Sequence, residues 1–176
     1  MSVIVPVSRS APVTMLRVDW HDPRAVVLRS AMDAEMSALY AERMSASSPE
    51  TAAAIDRALV LHPEEIVETV LVLDGESDGA VEVIGHAALR PFEDALEVKR
   101  VFISAAHRGR GIAKALLTEI ESIARERGIG RLVLQTGVLQ LEAIGLYRRF
   151  GYTEIAPFRG YEAVPESLCF EKAVPA

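Results

Sequence analysis

Two glycines and two arginines lie together in "HRGRGIAKAL", residues 107–116. Gly109 and Gly111 let the backbone bend so that successive N–H groups converge on one point. An amphipathic helix pattern follows directly, and the first N–H groups of a helix have no partner within it. Arg108 and Arg110 add charge and forked donors that match phosphate oxygens. Together these features predict a site for a phosphate or pyrophosphate group.

Other kinds of phosphate loop do not fit this stretch. A Walker loop requires Gly-Lys-Ser/Thr, which does not follow, and G-x-G-x-x-G fails because position 114 is lysine. Ala113 keeps the first helical turn small, so a bulky ligand can approach the backbone. The alternative is a tight strand-to-helix turn with exposed arginines, and the loop by itself leaves both interpretations open.

The composition is typical of one globular domain, since half of the 176 residues are hydrophobic and a quarter are charged. No apolar run reaches the roughly 18 residues that a membrane span requires, and the start of the chain does not resemble a signal peptide. We therefore expect a cytoplasmic protein that does not bind membranes. The single cysteine, Cys169, excludes an intrachain disulfide framework and a multi-cysteine site, so no metal is expected.

Charge is unevenly distributed along the chain. Residues 1–98 hold 17 acids and 7 bases, a net charge of −10, whereas residues 99–149 hold 10 bases and 4 acids, a net charge of +6. The overall charge of −6 argues against nucleic acid as a partner, because nucleic acid needs a broad basic face. The basic segment contains the Gly/Arg loop and suits a small polyanionic ligand, although a solvated surface is the alternative.

The elements that must position the loop follow the predicted order β-α-α-β-β-β-α-β-α-β-β. Helices are predicted after a first strand, from Pro23 and after the cap residue Ser48. An antiparallel meander then ends in the strand "LEVKRVFIS". The helix from Arg110 to about Arg127 leads to the strand "RLVLQTG", which a right-handed crossover makes parallel to "LEVKRVFIS".

This order predicts an α/β (α+β) fold with a mixed, mostly antiparallel central sheet of about six or seven strands flanked by helices. It fits neither a Rossmann alternation nor an all-β pattern. We place a single domain at residues 15–176 and expect residues 1–14 to form an N-terminal extension.

The segment from "EVKRVFIS" through the following helix resembles the acyl-CoA-binding motif of the GCN5-related N-acetyltransferase (GNAT) superfamily. That motif is a strand, then Arg/Gln-x-x-Gly-x-Gly/Ala, then a helix, and here it consists of Arg108, Gly109, Arg110, Gly111, Ile112 and Ala113. "LVLQTGVLQLEAIGLYRRFGYTEI" is similar to the second half of the family pattern, where Ala143, Tyr147, Gly151 and Tyr152 match. Position 140 is Gln where many members have Asn. The two halves cover about residues 95–155.

The resemblance implies the GNAT fold and acetyl-CoA as the acyl donor. Its pyrophosphate would rest on the backbone amides of residues 108–113, with Gln140 as a further contact. Its pantetheine arm would pair like an added strand with Val101, Phe102 and Ile103, between splayed strands. A backbone N–H near Ile103 would polarise the thioester carbonyl.

The resemblance also gives the catalytic candidates. Tyr147 lies where members commonly place an acid near the sulfur, and a phenol with an ordinary pKa of about 10 can donate a proton to a forming thiolate. Its alternative role is to anchor a helix to the core. Glu97 lies where many relatives carry a base that acts directly or through water. The alternatives for Glu97 are attraction of the ammonium group or a solvated strand carboxylate that pairs with Lys99 or Arg100.

Phe158 and Tyr161 lie in a segment that usually borders the acceptor site in this fold. There they could clamp an apolar or cationic substrate or pack under the loop.

The sequence thus predicts an N-acetyltransferase that moves acetyl to a primary amine of a small molecule or protein by direct attack in a ternary complex, and a homodimer is one possible state. Two alternatives remain: a non-catalytic acyl-CoA-binding or sensing module of the same fold, and a binder of a different phosphate ligand.

Overall fold

Seven strands form one sheet in the computed structural model, which describes residues 13–75 and 81–175. In chain order the elements are β1 (Val13–Val18), α1 (Pro23–Ala46), α2 (Pro49–Leu59), β2 (Glu68–Gly75), β3 (Val81–Phe92), β4 (Ala95–Ile103), α3 (Ile112–Glu126), β5 (Arg131–Gly137), α4 (Leu141–Arg149), β6 (Thr153–Ile155) and β7 (Ser167–Ala173). The predicted element order is confirmed. β1 begins two residues before the predicted domain start; the remainder of the predicted extension, residues 1–12, lies outside the described residues.

The strands lie in the order β1-β2-β3-β4-β5-β7-β6. Every neighbouring pair is antiparallel except β4 and β5, which are parallel as the crossover through α3 requires. The prediction of a mixed, mostly antiparallel sheet is therefore confirmed. It places the Gly/Arg loop between the end of β4 and the start of α3.

The seam between β4 and β5 is short. Its register pairs only 96–98 of β4 with 132–134 of β5, although β4 runs on to Ile103 and β5 to Gly137. Beyond Val98 the two strands therefore part toward their C-terminal ends. Half of β4 is left with one edge open for another hydrogen-bonding partner.

α3 covers one face of the sheet with the predicted apolar stripe. Ile112, Leu116, Ile120 and Ile123 are each at most 2% exposed, and burial of such a side chain contributes about 2 kcal/mol. Glu121 also lies on the buried side of this helix, where it is 8% exposed and forms ion pairs with Lys172 and Arg125. An acid is stable there because each carboxylate oxygen has a cationic partner.

α1 and α2 lie on the other face, and both begin at side-chain caps followed by proline. Asp22 accepts a hydrogen bond from the N–H of Arg24, and Ser48 accepts one from the N–H of Thr51. α1 packs over β3 and β4. Within the described part of the chain, no helix is long and apolar enough to cross a membrane.

Candidate functional site

A groove of about 870 Å³ opens at the end of the seam where β4 and β5 part. Its walls are α1, the last residues of β4, the loop into α3 and the helix α4. The residues that were predicted to bind the cofactor line this groove, with the exception of Arg110: Val101, Phe102, Ile103, Arg108, Gly109, Gly111, Ile112, Ala113, Gln140 and Tyr147. Residues from separate elements thus share one surface.

The loop into α3 has the backbone geometry of an anion site. Gly109 has φ 77° and Gly111 has φ 79°, a region that costs other L-residues about 1–2 kcal/mol. Because Gly111 is the N-cap, α3 begins at Ile112 and not at the predicted Arg110, and no side chain caps its first N–H groups. These N–H groups, with the positive end of the helix dipole, can therefore hold an anion in the groove.

The two arginines of the loop do different things. Arg108 lines the groove, donates to the carbonyl oxygen of Ile103 at 3.0 Å and pairs with Glu35 of α1 at 2.8 Å. Arg110 is not part of the groove lining, and its guanidinium pairs with Asp74 of β2 at 2.6 Å. Since the Asp74 side chain is only 10% exposed, this ion pair holds Arg110 away from the groove. In this structure the Arg110 side chain is therefore not placed to contact a phosphate in the groove.

A bulge separates the paired part of β4 from its groove-lining part. Phe102 pairs with His86 and Lys99 pairs with Ala88, so two β4 residues lie opposite a single β3 residue. Arg100, one of the two, has φ 56°. A bulge bends a strand and changes the direction of the residues after it. Here it sets the direction of residues 101–103, whose edge toward β5 is open.

Tyr147 projects from α4 into the same groove. It is 6% exposed, and the centre of its ring lies 5.7 Å from the centre of the Tyr152 ring and 6.2 Å from the centre of the Phe170 ring. Burial raises the pKa of the Tyr147 hydroxyl above its ordinary value, so the phenol keeps its proton at neutral pH. The ring packs in the core and the residue also lines the groove, so its position is compatible with either interpretation from the sequence.

Gln140 is the N-cap residue of α4 and lines the groove. Its N–H donates to the carbonyl of Gly137 at 3.0 Å, but its side chain makes no capping hydrogen bond. The side-chain amide of Gln140 is therefore not used to cap α4 and can contact a ligand. Many members of the family pattern have Asn at this position.

Glu97 is not part of the groove lining. It is 0% exposed and accepts hydrogen bonds from Arg90 at 2.7 Å and from the Tyr161 hydroxyl at 2.5 Å, while the Lys99 ammonium lies 3.4 Å away. Burial alone would raise the pKa of Glu97, but Lys99, Arg90 and Tyr161 outweigh it and lower the pKa. This geometry does not fit a base that touches an amine in the groove. It supports the alternative of an ion pair with Lys99, but the carboxylate is buried and not solvated as that alternative had it.

Lys99 completes this buried cluster. Its ammonium donates to the Tyr161 hydroxyl at 2.6 Å, and burial lowers its pKa to about 8 in spite of the nearby carboxylate of Glu97. Glu65 and Arg159 extend the cluster toward the surface, since Glu65 pairs with both Arg90 and Arg159. The cluster ties β3 and β4 to the loop between β6 and β7.

Phe158 and Tyr161 do not form an open clamp. Tyr161 is 0% exposed, and its ring lies 5.3 Å from that of Phe158, which in turn lies 4.7 Å from that of Phe92. Direct contact between Tyr161 and a substrate is therefore not available in this structure. Both aromatic residues pack beneath the loop, which was the alternative interpretation of the sequence.

Sequence reasoning missed one part of the site and did not decide the role of another. The α1 wall of the groove is formed by Met32, Met36 and Leu39, whose apolar spacing could not be distinguished from that of an ordinary core stripe. His107 also lines the groove; its Nδ1 is buried with no hydrogen-bond partner among the described residues, and its Nε2 lies 3.4 Å from Glu82. The position of His107 in the sequence does not distinguish it from an exposed loop histidine.

Comparison with known proteins agrees with this geometry. A structure from Klebsiella pneumoniae, provisionally described as an acyl-CoA N-acyltransferase, superposes with a TM-score of 0.71 at 28% identity and covers 93% of this chain and 99% of that one. PaiA N-acetyltransferase from Thermoplasma acidophilum, in complex with coenzyme A, shares the fold with a TM-score of 0.61 at 16% identity, over 92% of this chain and 99% of that one.

Sequence comparison finds shorter matches. An IAA acetyltransferase from Azospirillum brasilense is 45% identical over 76 residues, which cover 43% of this chain and 50% of that protein. N-acetyltransferase 8 from Mus musculus is 41% identical over 83 residues, which cover 44% of this chain and 36% of that protein. The matches thus span half or less of the length of these relatives.

The mixed, mostly antiparallel sheet with its helices has the fold of the acyl-CoA N-acyltransferases. The profile of the acetyltransferase (GNAT) family matches residues 29–152, which is more than half of the chain. The protein belongs to the GNAT acetyltransferase family.

Proposed function

We propose that this protein is an acetyl-CoA-dependent N-acetyltransferase that moves acetyl to a primary amine of a small molecule or protein by direct attack in a ternary complex. The observation that carries the proposal is the single groove that joins the α3 N-terminus, the open edge of β4 and Tyr147. These three parts correspond to the phosphate end, the arm and the sulfur end of an acyl-CoA molecule.

The chain's own groups account for donor binding. Backbone N–H groups around Gly111 hold the pyrophosphate, and Arg108 adds a cation within the groove. Residues 101–103 offer main-chain donors and acceptors to the arm in the manner of strand addition. A main-chain N–H near Ile103 polarises the thioester carbonyl. The bulge in β4 fixes the direction of this N–H before the reaction.

Tyr147 supplies the proton at the leaving sulfur. The amine attacks the carbonyl carbon, the carbon–sulfur bond breaks, and the thiolate receives the proton of the Tyr147 hydroxyl. Because burial raises the pKa of this hydroxyl, the proton is present throughout the neutral range. The attacking nitrogen loses one proton as the amide forms, and this proton, passed directly or through solvent, returns the phenolate to the phenol.

Glu97 acts in this proposal through the buried cluster and not as a base in contact with the acceptor. Its carboxylate holds Arg90, Lys99 and Tyr161 and so keeps β4 in place. The acceptor consequently reacts as the neutral amine present in solution. We expect kcat/KM to rise with pH toward the acceptor's own pKa.

The test is an acceptor panel of small primary amines and lysine-containing peptides, with release of the free thiol from acetyl-CoA as the readout. Calorimetry with acetyl-CoA, CoA and ATP accompanies it. Thiol release that depends on an amine supports the proposal. Binding of ATP without binding of CoA would overturn the assignment of the groove, and the protein would then bind a different phosphate ligand.

One observation favours a second candidate, a non-catalytic acyl-CoA-binding or sensing module. Among the described groove residues the carboxylates are Glu35, which is paired with Arg108, and Glu142 on the exposed start of α4. Tight CoA binding with no thiol release across the panel would support this candidate. A cytoplasmic location and a homodimer remain predictions, and analytical ultracentrifugation checks the latter.

A further inference from the structure

A buried histidine holds the bulge of β4 from the opposite strand. His86 of β3 is 0% exposed, and its Nδ1 lies 3.0 Å from the carbonyl oxygen of Arg100. A carbonyl oxygen only accepts, so Nδ1 must carry the hydrogen and donate it. The imidazole thus makes a directed hydrogen bond to a residue whose positive φ is otherwise unfavourable.

A second side chain orients that imidazole. Arg29 of α1 places one guanidinium nitrogen 3.3 Å from Nε2 of His86. Its other nitrogen donates to the carbonyl of Trp20 at 2.8 Å, and the guanidinium lies 3.6 Å from the centre of the Trp20 ring. With Nδ1 as donor, Nε2 must accept from Arg29, so both ring nitrogens of a neutral imidazole have a partner.

Burial, together with the charges of Arg29 and Arg100, also favours that neutral form and lowers the pKa of His86 to about 4. The carbonyl of Arg100 acts in the other direction, but burial is the largest effect. The contacts among Trp20, Arg29 and His86 therefore keep the His86 imidazole in one tautomer and one ring orientation at neutral pH.

The bulge that His86 holds lies directly before the residues of β4 that line the groove. The next residues after Arg100 are Val101, Phe102 and Ile103, which line the groove on the part of β4 that is not paired with β5. The direction of their N–H and C=O groups depends on the conformation at the bulge. Main-chain donors contribute to catalysis only if they are aimed before the reaction begins.

We propose that His86 is a positioning residue: its Nδ1–H group fixes the bulge at Arg100 and thereby aims the main-chain groups of residues 101–103 at the acyl-thioester arm in the groove. The inference rests on the proposed acetyl transfer. His86 touches neither the donor nor the acceptor, and Arg29 acts one step further away by orienting His86. This role differs from that of a core histidine that only fills space.

Four substitutions serve to separate the two roles. His86→Asn keeps an amide N–H near the position of Nδ1, whereas His86→Leu keeps the bulk and removes the donor. Ile123→Ala on α3 is the matched control, because it removes buried volume from another element and outside the groove lining. Arg29→Met is a second way to disturb the imidazole if His86→Leu does not fold.

The first readout is kinetic. We expect His86→Leu to lower kcat about 30-fold while the Kd of CoA, set by the α3 loop, changes less than about threefold. His86→Asn should recover kcat to within about threefold of the wild type, and Ile123→Ala should leave kcat unchanged below its melting temperature. A wild-type kcat in His86→Leu, or an equal loss in His86→Asn and His86→Leu, would overturn the positioning role.

The second readout needs no turnover. Hydrogen exchange of the amides of residues 101–103 should slow on addition of acetyl-CoA in the wild type, in His86→Asn and in Ile123→Ala, but not in His86→Leu. Equal protection in His86→Leu refutes the positioning role alone. Absence of CoA binding by the wild type would instead refute the proposed function, so the two failures are distinguishable.

Discussion

Replacement of Tyr147 by phenylalanine tests the acid of the proposed reaction with little disturbance of the fold. The substitution removes one oxygen and keeps the ring, so the contacts with Tyr152 and Phe170 persist. The hydroxyl has no hydrogen-bond partner among the described residues, so its loss should change the free energy of unfolding by less than about 1 kcal/mol. Any large effect must therefore come from the chemistry.

The expected size of that effect follows from general acid catalysis. A positioned proton donor contributes about 100-fold or more to a rate, so we expect Tyr147→Phe to lower kcat about 100-fold, which is about 2.7 kcal/mol of activation free energy. The Kd of CoA should stay within about twofold, because the α3 loop and not Tyr147 holds the phosphate end. Stopped-flow thiol release and calorimetry measure the two quantities.

The chain offers a matched control five residues away. Tyr152 is buried and packs on Tyr147, and its hydroxyl has no hydrogen-bond partner among the described residues. Tyr152→Phe makes the same chemical change outside the groove lining and should leave kcat unchanged, with equal or slightly higher stability. An unchanged kcat in Tyr147→Phe, or equal losses in both variants, would refute the acid assignment.

Three further predictions concern charge. Arg108→Ala should weaken CoA binding about 10-fold, whereas Arg110→Ala should leave it within about twofold and lower stability by about 1 kcal/mol; calorimetry and thermal melts check the pair, and the reverse order would contradict the groove geometry. Glu97→Gln leaves buried cations without their partner and should destabilise the protein by about 3 kcal/mol or more in urea, while kcat at low temperature falls less than about 10-fold; full stability with kcat lost would restore Glu97 as the base. Burial lowers the pKa of His86 to about 4, so the unfolded chain binds more protons than the folded protein between about pH 6.5 and 4. The free energy of unfolding should therefore fall by up to about 3 kcal/mol as the pH is lowered through that range. Urea titrations at each pH measure this slope, and His86→Asn should flatten it.

The sequence allowed the sheet, the crossover and the anion loop to be predicted because each depends on local patterns. The positive φ of Gly109 and Gly111 matches residue types that accept it, and the stripe of α3 follows its helical period. These signals are independent of what the rest of the chain does. The parallel pairing of β4 and β5 followed from the connection through one helix.

Side-chain partners far apart in sequence could not be predicted in the same way. Arg110 turns to Asp74, which is 36 residues away, and Tyr161 buries its hydroxyl against Glu97, which is 64 residues away. Nothing in the spacing of these residues distinguishes a ligand contact from an ion pair. The bulge at Arg100 was equally hidden, since a non-glycine residue with positive φ carries no signal in its own type.

The short β4–β5 seam divides the sheet into two parts that are only weakly joined. Four strands lie on one side and three on the other, joined by three register pairs and by the shared core beneath α3. A ligand arm that pairs with residues 101–103 would lengthen this joint and stiffen the whole sheet. Donor binding should then change the dynamics of the sheet far from the thioester, as far as the β6–β7 loop. For the proposed acetyl transfer we therefore expect an ordered sequence, in which the donor binds before the acceptor.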